Sequence, residues 1–88
     1  MIRQTMTIQN KRGIHTRSAA KIVDLAKKFG SKIELIFQDR CVDAKSIMNV
    51  ITLGAQKDNV VDVVITGEDE KTALVAIEKL VNDKFGED

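Results

Sequence analysis

The spacing of apolar residues changes repeatedly along this chain, from every second position to every third or fourth position and back. A spacing of two is typical of a half-buried strand, and a spacing near 3.6 is typical of an amphipathic helix. Ile2, Met6 and Ile8 have strand spacing, whereas Ala19 and Ile22 open a helical stripe. The predicted order is strand, helix, strand, strand, helix, strand, helix. This order favours an α+β fold with helices layered on one face of a sheet.

Three segments have helical spacing. The first begins at Thr16 and is expected to stop at Gly30, with lysines in its last turn. The second covers residues 46–53 and is closed by Gly54. The third covers residues 68–85 and has acidic residues in its first turn. Strands are predicted at residues 2–8, 32–37, 40–43 and 60–65, and the middle two form a hairpin.

Length and composition exclude several classes of protein. A chain of 88 residues predicts one domain, residues 1–88, with one thin core. Its 14 basic and 13 acidic side chains give a net charge of +1, which is not that of a nucleic-acid binder. One Cys and one His predict no metal site, and no apolar run approaches the roughly 20 residues of a membrane span. We therefore expect a cytoplasmic monomer without cofactor, metal, nucleic acid or membrane insertion.

His15 is the residue that indicates a chemical function for this chain. It follows a loop containing Gly13 and directly precedes the first helix, whose unpaired N–H groups at Thr16, Arg17 and Ser18 would form an anion site. Arg17 adds a planar cation that suits phosphate oxygens. The helix dipole would keep the imidazole neutral and nucleophilic, and would then stabilise an added phosphate. The simpler alternative is an exposed loop histidine or a weak cap.

Two stretches carry a family resemblance. GIHTRSA (residues 13–19) resembles the active-site signature of the HPr family, the histidine-containing phosphocarriers of the phosphoenolpyruvate-dependent sugar phosphotransferase system. KSIMNV (residues 45–50), followed by Leu53-Gly54, resembles that family's second signature. The resemblance implies an open-faced β-sandwich, with a four-stranded antiparallel sheet covered on one face by three helices. It also implies that enzyme I phosphorylates His15 on Nδ1 and that enzyme IIA domains receive the group, so the protein is a carrier and not a stand-alone catalyst.

The same resemblance implies a docking surface for enzyme I and enzyme IIA. At helical spacing Ile47 and Ile51 lie one turn apart and Met48 is offset, so at least one of the three must be exposed. A flexible methionine suits a surface that recognises several partners. The predicted surface comprises Thr16, Arg17, Ala20, Ile47, Met48 and Ile51.

Ser46 permits two interpretations. Serine is a favoured N-cap, so Ser46 could serve only to begin the second helix. The resemblance to Gram-positive family members implies instead that an HPr kinase/phosphorylase phosphorylates it. Phosphorylation would place negative charge beside an apolar docking patch and lower the use of the protein by enzyme I. Both interpretations stay open.

Ser18 departs from the family pattern, which usually has proline there. Serine restores a backbone N–H and adds a hydroxyl in the first turn of the helix. We therefore expect an extra donor for the phosphate and an altered lifetime of the phosphohistidine.

Two alternative functions remain. One is a carrier of the nitrogen-related branch of the phosphotransferase system, although Lys45-Ser46-Ile47-Met48 favours the sugar branch. The other is a regulatory HPr-like protein that acts by binding partners. The presence of His15 and Arg17 argues against the second alternative.

Overall fold

The computed structural model describes residues 1–87, and Asp88, the last residue of the predicted domain, lies outside the described residues. The predicted order of elements is confirmed. The strands are β1 (Ile2–Thr7), β2 (Lys32–Phe37), β3 (Arg40–Asp43) and β4 (Val60–Thr66), the helices are α1 (Thr16–Ala26), α2 (Ile47–Ile51) and α3 (Glu70–Asn82), and a 3₁₀ turn covers Lys84–Gly86.

The four strands form one antiparallel sheet in the order β1-β4-β2-β3. Leu35 in β2 lies opposite Val63 in β4 on one side and opposite Val42 in β3 on the other. Met6 in β1 lies opposite Val61 in β4. Because side chains alternate along a strand, these pairs place their apolar groups on one face. The predicted β2–β3 hairpin and the open-faced β-sandwich are confirmed.

The helices cover the apolar face of the sheet. Each valine, leucine, isoleucine, phenylalanine or methionine side chain fully removed from water there contributes about 1.5–3 kcal/mol to folding. The core is formed by apolar residues from the predicted faces of both the strands and the helices. Its main side chains are those of Met6, Ile8, Ala19, Ile22, Val23, Ala26, Ile33, Leu35, Val50, Val61, Val63, Ile65, Ala73, Ile77, Val81 and Phe85.

The end of α1 differs from the prediction. The helix ends at Ala26, so its last turn contains no basic residue. The N–H of Lys28 donates to the carbonyl of Leu25 at 3.1 Å, and that of Phe29 to Ala26 at 3.2 Å. These i to i−3 bonds tighten the chain before it reaches Gly30 and replace the glycine stop that the sequence suggested.

The other two helices are shorter than predicted. α2 ends before Gly54, which has a φ of 78° in the following loop. α3 begins only at Glu70, which is the one acidic residue in its first turn. The carboxylate of Asp69 is turned away from α3, because it accepts hydrogen bonds from the N–H groups of Gly30 and Ser31 at 2.9 and 3.0 Å.

α3 ends at Asn82 and not at Phe85. Lys84 and Phe85 have φ values of 58° and 57°, so the backbone turns out of the helix. Phe85 is nevertheless fully buried. None of the helices within residues 1–87 is long and apolar enough to cross a membrane.

Candidate functional site

The loop before α1 is held by a glycine. Gly13 has a φ of 67°, a conformation that favours glycine. A Cβ atom at this position would lie 2.6 Å from Cα of Gln56 and 2.7 Å from the carbonyl oxygen of Ala55. The N–H of the next residue, Ile14, donates to the same carbonyl at 2.9 Å. The loop therefore packs directly on residues 55–56, and this contact fixes the start of α1.

His15 is the N-cap of α1. Its backbone is extended, with φ −129° and ψ −172°, so the ring folds over the helix end. Nδ1 of the ring accepts a hydrogen bond from the N–H of Arg17 at 3.3 Å. The backbone N–H of Ser18 also faces the ring as one half of a capping box. The single histidine thus lies at the bare N–H groups of the helix.

Ser18 supplies the other half of that capping box. Its Oγ atom accepts from the N–H of His15 at 2.8 Å and lies 3.1 Å from the carbonyl oxygen of Gly13, to which it donates. The side chain is fully buried. In this conformation the hydroxyl closes the loop onto α1, so the extra donor expected for a phosphate is left to the backbone N–H of Ser18, and the role of Ser18 in phosphate binding stays a prediction.

A carboxylate from the C-terminal segment contacts the same ring. Oε2 of Glu87 lies 2.8 Å from Nε2 of His15, and both side chains are less than one-fifth exposed. Oε1 of Glu87 accepts from Nδ2 of Asn10 at 2.9 Å. The hydrogen bond from Asn10, followed by that from His15, holds the pKa of Glu87 below its usual range. Glu87 is therefore ionised at neutral pH.

A pocket of about 190 Å³ opens beside this cluster. It is lined by three cationic residues, Lys11, Arg12 and Arg17, together with Glu87. Guanidinium and ammonium groups form strong, charge-assisted hydrogen bonds to phosphate oxygens. The pocket therefore has the size and charge to receive a phosphoryl group, and two of its lining residues, Arg17 and Glu87, contact the His15 ring.

Four residues of this site were not expected from the sequence, namely Asn10, Lys11, Arg12 and Glu87. Asn10 precedes Gly13 by three positions, and its Nδ2 donates to the Gly13 carbonyl at 2.7 Å. An asparagine shortly before a glycine in a turn is the sequence signal that could have identified Asn10. No local pattern connects Glu87 to His15, because the two residues are 72 positions apart.

The predicted docking residues lie on two helices that pack against each other, α1 and α2. Met48 and Ile47 are 67% and 38% exposed. Ile51 is half-buried on the side of α2 that packs on the core, where Val50 is fully buried. On α1, Thr16 and Arg17 are exposed and Ala20 is half-buried. The expectation that α2 leaves part of its apolar surface in solvent is thus met by Met48 and Ile47.

Ser46 lies at the N-cap of α2 but does not cap it with its side chain. Its hydroxyl makes no capping hydrogen bond. The backbone carbonyl of Ser46 accepts from the N–H of Val50 at 3.0 Å, so the main chain alone begins the helix. The interpretation of Ser46 as a side-chain cap is therefore wrong in this structure.

Residues 1–87 contain no group of three or more His, Cys, Asp or Glu side chains that could hold a metal ion. Cys41 is exposed, and its Sγ atom lies 3.5 Å from Oε2 of Glu34. Desolvation, followed by the hydrogen bond to Glu34, raises the pKa of the Cys41 thiol.

Comparisons with known proteins identify the family of this chain. The family model described as the PTS HPr component phosphorylation site matches residues 2–83. The phosphocarrier protein HPr of Xylella fastidiosa is 43% identical over 88 residues, which cover all of this chain and 99% of that protein. The HPr of Treponema pallidum is 42% identical, with both chains fully covered. The crystal structure of HPr-C-His from Thermoanaerobacter tengcongensis superposes with a TM-score of 0.95 at 42% identity, covering 100% and 99% of the two chains. The chain therefore belongs to the HPr family of phosphocarrier proteins of the phosphotransferase system, which carry a phosphoryl group and are not stand-alone catalysts.

Proposed function

We propose that this protein accepts a phosphoryl group from phosphorylated enzyme I on Nδ1 of His15 and passes it to enzyme IIA domains in sugar uptake. The observation that carries the proposal is the position of the ring. Nδ1 lies 3.3 Å from the N–H of Arg17 at the N-terminus of α1, beside the cationic pocket. A nitrogen that accepts from an N–H group carries a lone pair, which is what a phosphoryl acceptor needs.

The same groups would hold the product. Once phosphorus is bonded to Nδ1, the backbone N–H groups of Thr16, Arg17 and Ser18 can donate to its oxygens. The guanidinium of Arg17 adds a charge-assisted donor from the rim of the pocket. Because the α1 dipole is positive at this end, the added negative charge is stabilised without burying it. The group therefore stays accessible to the next acceptor.

The exposed part of α2 is the proposed docking surface. Met48 and Ile47 are exposed on a helix that packs beside α1, so a partner contacting them can also reach Thr16 and Arg17. An apolar patch close to a charged site is suited to transient recognition of several proteins. We assign enzyme I and enzyme IIA to this surface, with Ala20 and Ile51 at its border.

Ser46 is the proposed site of regulation. Its hydroxyl makes no capping hydrogen bond, which leaves it available to an HPr kinase/phosphorylase. A phosphate there would add nearly two negative charges next to Ile47 and would disfavour docking. Incubation of the protein with such a kinase and ATP, with Ser46→Ala as the control, tests this assignment directly.

We further propose that residues 1–88 act as one domain and as a cytoplasmic monomer of the sugar branch. The Lys45-Ser46-Ile47-Met48 stretch is the observation that favours the sugar branch over the nitrogen-related branch. Parallel phosphorylation by the enzyme I of each branch distinguishes the two. Faster charging by the nitrogen-branch enzyme would overturn this part of the proposal.

The experiment that tests the main proposal is incubation with phosphoenolpyruvate and enzyme I. We expect an adduct of one phosphoryl group in the intact mass, which is lost in acid and is absent from His15→Ala. An adduct in His15→Ala equal to that of the parent would contradict the proposal. No adduct in the parent, together with normal phosphorylation of a known HPr in the same reaction, would favour the regulatory alternative.

A further inference from the structure

We propose that Glu87, oriented by Asn10, is a positioning residue that fixes the proton of the His15 ring on Nε2 and so leaves Nδ1 as the phosphoryl acceptor. This inference rests on the proposed role of His15 as acceptor. Four contacts carry it. Nδ2 of Asn10 contacts both the carbonyl oxygen of Gly13 and Oε1 of Glu87. The other carboxylate oxygen, Oε2 of Glu87, contacts Nε2 of His15. On the far side of the ring, Nδ1 of His15 contacts the N–H of Arg17.

The direction of each hydrogen bond follows from the first contact. The carbonyl of Gly13 can only accept, so the group of Asn10 that faces it must be the NH₂ group. That group also faces Oε1 of Glu87 and donates to it. An ionised carboxylate only accepts, so Oε2 must be met by an N–H at Nε2 of His15. At the far side of the ring, the N–H of Arg17 requires a lone pair on Nδ1.

Burial shows that the orientation of Asn10 is constrained. Asn10 is fully buried, and its Oδ1 atom has no hydrogen-bond partner among the described residues. An unpaired buried oxygen costs free energy. Rotating the amide by half a turn would be worse, because it would set an oxygen against both the Gly13 carbonyl and the Glu87 carboxylate. The observed orientation therefore keeps the hydrogen bonds that Nδ2 donates to Gly13 and Glu87, and it leaves only Oδ1 without a donor.

The C-terminal segment holds the carboxylate in place. Lys84, Phe85 and Gly86 all have positive φ values, which turn the chain back toward α1. Phe85 is fully buried, and its carbonyl accepts a hydrogen bond from Nζ of Lys21 in α1. Non-glycine residues adopt such a backbone only when their surroundings stabilise it. Glu87 thus reaches His15 from an anchored segment.

In the transfer step one bond to phosphorus replaces another. The lone pair of Nδ1 forms a bond to phosphorus while the bond from phosphorus to the donor breaks, and the donor keeps that electron pair. The proton on Nε2 stays in place, so the ring becomes positively charged. The carboxylate of Glu87, 2.8 Å from Nε2, offsets this charge. Discharge to the acceptor reverses the same changes.

Glu87→Gln tests the directional argument. Its side chain keeps one oxygen and gains an NH₂ group. Asn10 holds the oxygen, so the NH₂ group faces Nε2 of His15, which can then meet it only with a lone pair. The proton moves to Nδ1 and blocks the acceptor. We expect phosphorylation by enzyme I to slow at least about tenfold, as when an amide replaces a carboxylate that orients a catalytic histidine.

The tautomer is read directly from the ¹⁵N chemical shifts of the His15 ring, in unphosphorylated protein, at a pH well above the usual imidazole pKa. The parent should carry its proton on Nε2, and Glu87→Gln should carry it on Nδ1. Glu87→Ala loses the carboxylate and keeps only the N–H of Arg17 at Nδ1, so its share of the Nε2–H tautomer should lie between that of the parent and that of Glu87→Gln. The exposed Glu68→Gln is the matched control and should leave both tautomer and rate unchanged.

A second variant tests the part of Asn10. In Glu87→Gln combined with Asn10→Ala, the amide is free to turn its oxygen toward His15, and the Nε2–H tautomer and the rate should recover. The proposal would be overturned if Glu87→Gln kept its proton on Nε2 as the parent does. It would also be overturned if a folded double variant had the same tautomer and the same rate as Glu87→Gln. If the double variant does not fold, the tautomers of Glu87→Gln and Glu87→Ala are compared. Equal shares of the Nε2–H tautomer in these two variants would overturn the proposal. Because the tautomer is measured without enzyme I, its failure is distinct from a failure of the proposed carrier function.

Discussion

Oε2 of Glu87 lies 2.8 Å from Nε2 of His15, and 72 positions of the chain separate the two residues. The contact places the ring between two parts of the fold, the N-terminus of α1 and the C-terminal segment that follows α3. Phe85 secures the second part, because its side chain is fully buried in the same core as α1. The reactivity proposed for the ring therefore depends on tertiary packing as well as on the local motif.

Replacement of Arg17 by alanine should slow transfer and leave the fold intact. Arg17 is exposed and lines the pocket beside the ring, so its loss removes a donor to the phosphoryl oxygens without opening the core. We expect phosphorylation by enzyme I to fall by about 100-fold, the lower end of the range for removing a charge-stabilising donor. Arg3→Ala, which removes an exposed arginine from β1, is the control. Transfer at the parent rate in Arg17→Ala would show that the guanidinium has no part in it.

Gly13→Ala should destabilise the protein. The new Cβ would meet the backbone at Gln56 at 2.6 Å, in a residue whose φ of 67° already disfavours side chains. Such strain costs of order 1–3 kcal/mol. Gly30→Ala is the control, because nothing lies within 4 Å of its added Cβ and its φ is ordinary. Urea unfolding of both variants measures the difference, and equal stabilities would contradict the packing described for the loop.

The carboxylate of Asp69 should make stability depend on pH in the acid range. The hydrogen bond from the hydroxyl of Ser31, followed by that from the N–H of Gly30, holds the pKa of Asp69 below its usual value. A lowered folded-state pKa contributes stability above the unfolded-state pKa of about 4, and this stability is lost as pH falls through the folded-state value. Asp69→Asn should therefore have a lower Tm at neutral pH and a flatter decline on acidification.

Thermal unfolding between neutral and acid pH checks this prediction. Asp24→Asn, which removes one negative charge from the exposed side of α1, controls for net charge. An Asp69→Asn curve parallel to that of the parent would exclude the proposed contribution of this carboxylate.

Replacement of Met48 by alanine should weaken partner binding without affecting stability. Met48 is 67% exposed at the centre of the proposed docking surface. A side chain that anchors an interface typically costs more than about 1 kcal/mol on truncation, which is roughly a fivefold loss of affinity. Val75→Ala is the matched control, because Val75 is 66% exposed on α3. Calorimetric titration with enzyme I and with an enzyme IIA domain measures the affinity of each variant. Equal affinities for Met48→Ala and Val75→Ala would show that Met48 is not part of the docking surface.

The residues of the sheet and of the helical stripes could be predicted from the sequence because burial imposes a local period. Ile33, Leu35, Ile22 and Ile77 are all buried where the spacing placed them. The position of His15 at the start of α1 could be predicted for a similar reason, since Gly13 and the onset of helical spacing are adjacent to it. Each of these signals lies within a few residues.

The C-terminal segment could not be predicted in this way. Phe85 follows Ile77 and Val81 at intervals of four, so periodicity extends α3 through it. The turn arises from positive φ values at Lys84 and Phe85, which no residue preference favours. The contact of Glu87 with His15 depends on that turn. The contact therefore has no signal in the sequence, although it lies at the centre of the site.

The most direct test of the account is to find which ring nitrogen receives the phosphorus. Protein labelled with ¹⁵N is phosphorylated with phosphoenolpyruvate and enzyme I, and the one-bond coupling between ³¹P and ¹⁵N is measured on His15. We predict that the coupling appears on Nδ1, the nitrogen that faces the N–H of Arg17, while Nε2 keeps its contact with Glu87. Coupling to Nε2, or to any residue other than His15, would contradict the account.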